Sequence, residues 1–169
     1  MALAIIPYTL LNQNIYSGII GMISTVVLGT CKIIKSIYVH KYPDITKIIT
    51  ELDIERRLKL VESVVTAKES QKYTKINIKD LEKSIILDMI GNHNDPIELC
   101  LASLHEIIQR IHNNLVEINS KVTRHNKKWF SSWRTLNLNK QLDDLKTNSK
   151  LLDIRFADLI TVSNFLERK

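Results

Sequence analysis

The sequence predicts an all-α protein: an antiparallel four-helix-type bundle with an additional apolar helix at its N-terminus. Three observations carry this reading. Only 4 glycines and 3 prolines punctuate 169 residues, far fewer than turn-rich folds use. Apolar residues recur in steps of three and four along two long stretches, the period of one helix face. No strand alternation or βαβ succession interrupts them. A chain of this length fits one domain and buries roughly 70% of the surface its unfolded form exposes, so its core needs neither disulfide nor metal. We read 1–42 as an apolar N-terminal helical region, charge-free through residue 31, and 53–169 as the bundle core.

Residues 1–31 contain no side chain that is charged near neutral pH. No basic n-region or small-residue cleavage pattern marks a signal peptide there. A helix is expected over about 15–38. In it Gly18, Gly21, Thr25, Gly29, Lys32 and Ser36 form a stripe of small and polar residues, and Ile15, Ile19, Ile23, Val26, Ile33 and Ile37 cover the remainder. A small-residue stripe lets another backbone approach closely. Three readings stay open: a buried bundle helix whose stripe is its tightest contact, a segment that engages lipid conditionally, and a constitutive membrane span. The 17 residues of 15–31 sit at the lower limit for crossing a bilayer. The lipid-facing candidates are Gly18, Gly21, Ile23, Val27 and Gly29.

Pro43 ends this helix, since proline lacks an N–H and disfavours helix at the residue before it. A short helical turn is expected over 44–50. Asp53 then caps a second long helix with Ile54, Leu58, Val61 and Val65 on one face and Glu55 paired to Lys59. It fades in "AKESQKYTK". Ile78, Leu81, Ile85 and Met89 mark a third apolar face, which Gly91 is placed to end. "NDPIE" is the plainest start signal in the chain, with Asp95 as N-cap, Pro96 at N1 and Glu98 at N3. The helix it opens carries a heptad seam: Ile97, Leu101, Leu104, Ile108, Ile111, Leu115, Ile118 and Val122. The last helix answers with Leu138, Leu142, Leu145, Leu152, Phe156, Leu159 and Leu166, and with Ser149 and Ser163 in the seam. Two seams of similar length joined by a short corner predict an antiparallel hairpin.

The formal charge is +6, and no acid occurs between Glu117 and Asp143. Lys121, Arg124, Lys127, Lys128, Arg134 and Lys140 fall in that window. It encloses "KKWFSSWR", which holds both tryptophans. Such a corner serves a lipid surface, a phosphate or an acidic protein, or it is a solvated face around a hydrophobic plug. Lys127, Lys128, Trp133 and Arg134 are the membrane-binding candidates here, with Trp129 or Phe130 closing the bundle end. Cys31 and Cys100 form no CxxC pair, so no disulfide is expected and the reading is an intracellular, cytoplasmic chain with conditional membrane association. No phosphate loop, nucleophile elbow or zinc-ligand spacing occurs, so no catalytic residue, cofactor or metal is assigned. His105 and His112 are read as solvated. Nucleic acid is not expected as a partner, because no zinc, helix-turn-helix or aromatic-sheet signature accompanies the cations. The partners expected are anionic membrane lipids or a helical protein, a second copy of the chain included.

The stretch "KKWFSSWRTLNLNKQLDDLKTNSKLLDIRFADLI" resembles the last helical hairpin of the N-terminal four-helix domain in the mixed-lineage kinase domain-like family, with its fungal HeLo-type and plant resistosome-type relatives. Trp129, Phe130, Trp133, Leu138, Leu142, Leu145, Leu152, Phe156 and Leu159 carry the likeness. It implies a bundle that regulates itself by packing and, once released, engages or permeabilises membranes in cell death. The alternative is a protein-interaction or structural bundle without membrane activity. The Ile, Asn and Lys bias resembles proteins of AT-rich genomes such as large DNA viruses.

Overall fold

The computed structural model describes residues 8–40, 42–74, 95–127 and 136–167. Five helices account for nearly all of them: α1 Tyr8–Val39, α2 Pro43–Glu51, α3 Ile54–Thr74, α4 Pro96–Asn126 and α5 Asn139–Glu167. The protein is thus an all-α bundle, and its apolar N-terminal helix is one of the four long helices among the described residues. The third helix expected around Ile78 to Met89, with Gly91, lies outside the described residues.

The local signals act as their chemistry requires. The Asp95 carboxylate accepts from the Ile97 N–H at 2.9 Å, with Pro96 opening the helix and Glu98 in its first turn. Pro43 occupies the corresponding place in α2. Asp53 precedes α3 in a left-handed conformation, φ 48°, which Asp tolerates better than most side chains. Its carboxylate pairs with Arg56 at 2.6 Å. Glu55 and Lys59 pair at 2.7 Å, and the hydrogen bond with that carboxylate is the main cause that raises the Lys59 pKa. α3 ends at Thr74, inside the "AKESQKYTK" stretch where it is expected to fade.

α4 packs most extensively on α5 and α1. The α4–α5 pair is antiparallel: the Gln141 amide donates to Glu117 at 2.8 Å near one end, and Cys100 faces Asp158 near the other. Seven of the eight seam positions predicted on α4 are buried and Ile97 is partly so. Leu138, just before α5, and Leu142, Leu145, Leu152 and Leu159 on it are buried and Phe156 packs against them, but Leu166 is 41% exposed, a correction to the end of that seam. Ser149 is buried in that seam, and Arg57 of α3 satisfies it, donating at 3.2 Å to the hydroxyl and at 2.7 Å to Asp153.

α1 and α4 run parallel and side by side. Thr30 meets His112, Ser36 meets Asn119, His40 meets Thr123 and Tyr42 meets Asn126, with a sequence separation of 82 to 84 throughout. A constant separation over three turns is what two parallel helices in fixed register produce.

Candidate functional site

The face that α1 turns inward is Ile20, Ile23, Val27, Thr30, Cys31, Ile34 and Ile37, all buried. Ile23 and Val27, two of the lipid-facing candidates, therefore lie in the core of the packed bundle. Exposing Ile23, Val27, Ile34 and Ile37 costs about 1.5 to 3 kcal/mol each, or roughly 6 to 12 kcal/mol together. That equals the whole stability of an ordinary domain. Burial also raises the pKa of the Cys31 thiol.

The small-residue stripe divides. A Cβ at Gly18 or Gly21 would meet nothing within 4 Å, whereas one at Gly29 would lie 3.2 Å from Cε1 of His112. The expectation that the whole stripe makes the closest helix contact is corrected: of its glycines only Gly29 meets α4, and Ser36 further along bonds Asn119. Gly18 and Gly21 are exposed, while Gly29 borders α4. His112 is half-buried rather than solvated. The Thr30 hydroxyl donates to the Val26 carbonyl at 2.7 Å, so its oxygen is left to accept from Nδ1–H of His112 at 3.0 Å. The bonding pattern assigns that proton to Nδ1.

The exposed residues of α1 over 17–39 are Ser17, Gly18, Gly21, Met22, Thr25, Leu28, Lys32, Lys35 and Val39. None is acidic. Met22 is 48% exposed, Leu28 58% and Val39 76%. By length and composition alone Ser17–Val39 could cross a membrane, but about a third of it is already buried in the bundle. Among the described residues, neither Lys32 nor Lys35 forms an ion pair, unlike Lys47, Lys59, Lys121 and Lys146.

The upper end of the α1–α4 pair is a polar junction. Asn126 joins His40 to the Tyr42 hydroxyl, and the Tyr42 ring meets His125 edge-on at 6.3 Å. Lys127 closes α4 as its exposed C-cap. Lys128, Trp129, Phe130, Trp133 and Arg134 lie outside the described residues; of that corner the structure describes Lys127, at this junction.

A second, shallower feature is a cleft of about 370 Å³ between α4 and α5, lined by Arg110, Asn113, Asn114, Asp144, Thr147 and Asn148. Nδ2 of Asn114 is buried without a partner. Arg110 is committed to Glu106 at 2.6 Å. These groups can form hydrogen bonds but include no nucleophile paired with a base. Among the described residues no three His, Cys, Asp or Glu side chains are placed to hold a metal ion.

The chain is 39% identical to the uncharacterized protein L717 of Acanthamoeba polyphaga mimivirus, over 98% of this chain and 84% of the relative. It belongs to the L717 family. This kinship with a protein of a large DNA virus supports a viral origin. No protein-family profile matches the L717-family chain, and no solved structure does. Sequence reasoning missed the role of His112 in this family member, since a lone histidine on a helix gives no sign of which neighbour it meets. The exposed face of α1 was legible only as a stripe whose direction the sequence left open.

Proposed function

We propose that this L717-family protein is a non-enzymatic helical bundle that engages membranes, the behaviour implied by its likeness to cell-death bundles. One observation carries the reading. The outward face of α1 combines exposed apolar side chains, Met22, Leu28 and Val39, with Lys32 and Lys35 and without a single acid. An apolar surface edged by lysine is the composition of helices that lie in the headgroup region of anionic bilayers. Each such lysine contributes on the order of 1 kcal/mol near anionic lipid, so two give reversible rather than permanent attachment. Flotation with vesicles of phosphatidylcholine alone or with added phosphatidylserine tests it. The protein is expected to float only with the anionic vesicles and less at high salt. Absence from the lipid fraction in low salt would refute the reading. Dye release from the same vesicles separates binding from permeabilisation.

A second reading draws on Gly18 and Gly21, where the open space before each glycine admits the backbone of another helix. There the face receives a helical protein partner, and vesicles have no effect.

A further inference from the structure

We infer that the bundle binds anionic membrane fully folded, lying on one flat surface made jointly by the outward faces of α1 and α4. This rests on the membrane-engagement reading and names the surface, the orientation and the state of the protein in it. α1 and α4 are parallel neighbours in fixed register, and both turn their buried ridges to the same core. Their outward sides must therefore lie side by side. On α4 the residues flanking the α1 contacts His112, Asn119 and Thr123 on their outward side include Val116, Ser120 and Lys127, all exposed, Val116 by 43%. They continue the face begun by Met22, Leu28, Lys32 and Val39.

Charge complementarity says what covers this surface. Beyond the first turn of α4 its acids are engaged: Glu106 pairs with Arg110, which lines the α5 cleft, and Glu117 is bonded to Gln141 of α5. Acids of α3 such as Glu55 and Glu62 lie on the opposite flank of α1, facing Cys31. The shared face is left with Lys32 and Lys127 amid neutral side chains and Lys35 at its edge. Over 17–39 it runs about 35 Å along α1, long enough for several lipid headgroups. Because Ile23, Val27, Ile34 and Ile37 are already buried, Leu28 and Val116 can enter the headgroup layer without any helix leaving the bundle. An anionic phospholipid surface meets both the cations and the apolar side chains, which a soluble acidic partner does not.

Three arms test this with phosphatidylserine-containing vesicles and the full chain. Neutralising Lys32→Gln and Lys35→Gln together is expected to weaken partitioning about thirty-fold, and Leu28→Asp to abolish it, with unchanged circular dichroism. A Ser36→Cys/Asn119→Cys variant links α1 to α4 where the native side chains are 3.2 Å apart. Its oxidised, disulfide-linked form is expected to bind as tightly as its reduced form. If the reduced form binds and the oxidised form does not, α1 has to leave α4 and the folded-state inference is overturned while membrane engagement stands. If the lysine and Leu28 variants bind like the parent, the surface is wrongly placed. If Leu28→Asp changes only self-association on a sizing column, the face belongs to a second copy of the chain. If the parent itself fails to bind, the membrane-engagement reading falls and the inference with it.

Discussion

Gly29 of α1 and His112 of α4 meet so closely that a Cβ on the glycine would come within 3.2 Å of the imidazole Cε1. The ring lies against the glycine while its Nδ1–H is donated to the neighbouring Thr30 hydroxyl. This contact fixes where α1 sits along α4.

Substitutions along the glycine stripe should therefore separate sharply. Gly29→Leu overfills the contact and is expected to cost about 1 to 3 kcal/mol. Gly21→Ala meets open space and should stabilise by up to about 1 kcal/mol through helix propensity. Urea denaturation of both variants checks the pair, and equal effects would contradict the register described.

The α4 seam is the second place where magnitude decides. Ile111 is fully buried, so Ile111→Ala is expected to cost about 2 to 5 kcal/mol. Leu166→Ala, at a partly exposed site, should stay within about 0.5 kcal/mol. Thermal unfolding compares them directly.

These two predictions mark what the sequence could and could not disclose. The heptad positions of α4 and the Asp95-Pro96 start were legible because period and capping are local properties. The direction of the Gly18–Gly21–Gly29 stripe was not, since several faces of α1 read as apolar and only tertiary packing chooses among them. Arg57 likewise reads as a surface cation until α5 brings Ser149 and Asp153 to it.

Backbone strain at the α2–α3 junction gives another expectation. Asp53 holds φ 48°, a conformation that costs roughly 1 to 2 kcal/mol for side chains without a local polar partner. Asp53→Val should lose about that much, and Asp53→Asn much less. Chemical denaturation of the two variants tests the difference.

Ionisation supplies a pH dependence. The Lys121 and Gln141 side chains bonded to Glu117 hold its carboxyl below the usual carboxylate range. A lowered folded-state pKa means that this contribution is present above the unfolded carboxylate pKa and is lost as pH falls through the folded value. Glu117→Gln should therefore flatten the acid side of the stability profile slightly and leave neutral pH and above nearly parallel to the parent. A steeper acid limb in the variant would reverse the sign.

Thiol chemistry reports the same packing. Burial raises the pKa of both Cys31 and Cys100, so each is less nucleophilic in the folded chain. Iodoacetamide should label Cys100 before Cys31, and both faster in denaturant. Prior labelling of Cys31 would contradict its place in the core.

Hydrogen exchange of the vesicle-bound protein addresses the central claim most directly, because it asks whether α1 remains in the bundle while its outer face meets lipid. Amides over 20–37 are expected to keep their protection when the protein is bound, and peptides from the outward face of α4 near Val116 to be no less protected than in the free protein. Strong deprotection of α3 and α4 core peptides on binding, as Leu58 and Leu104 lose α1, would contradict it.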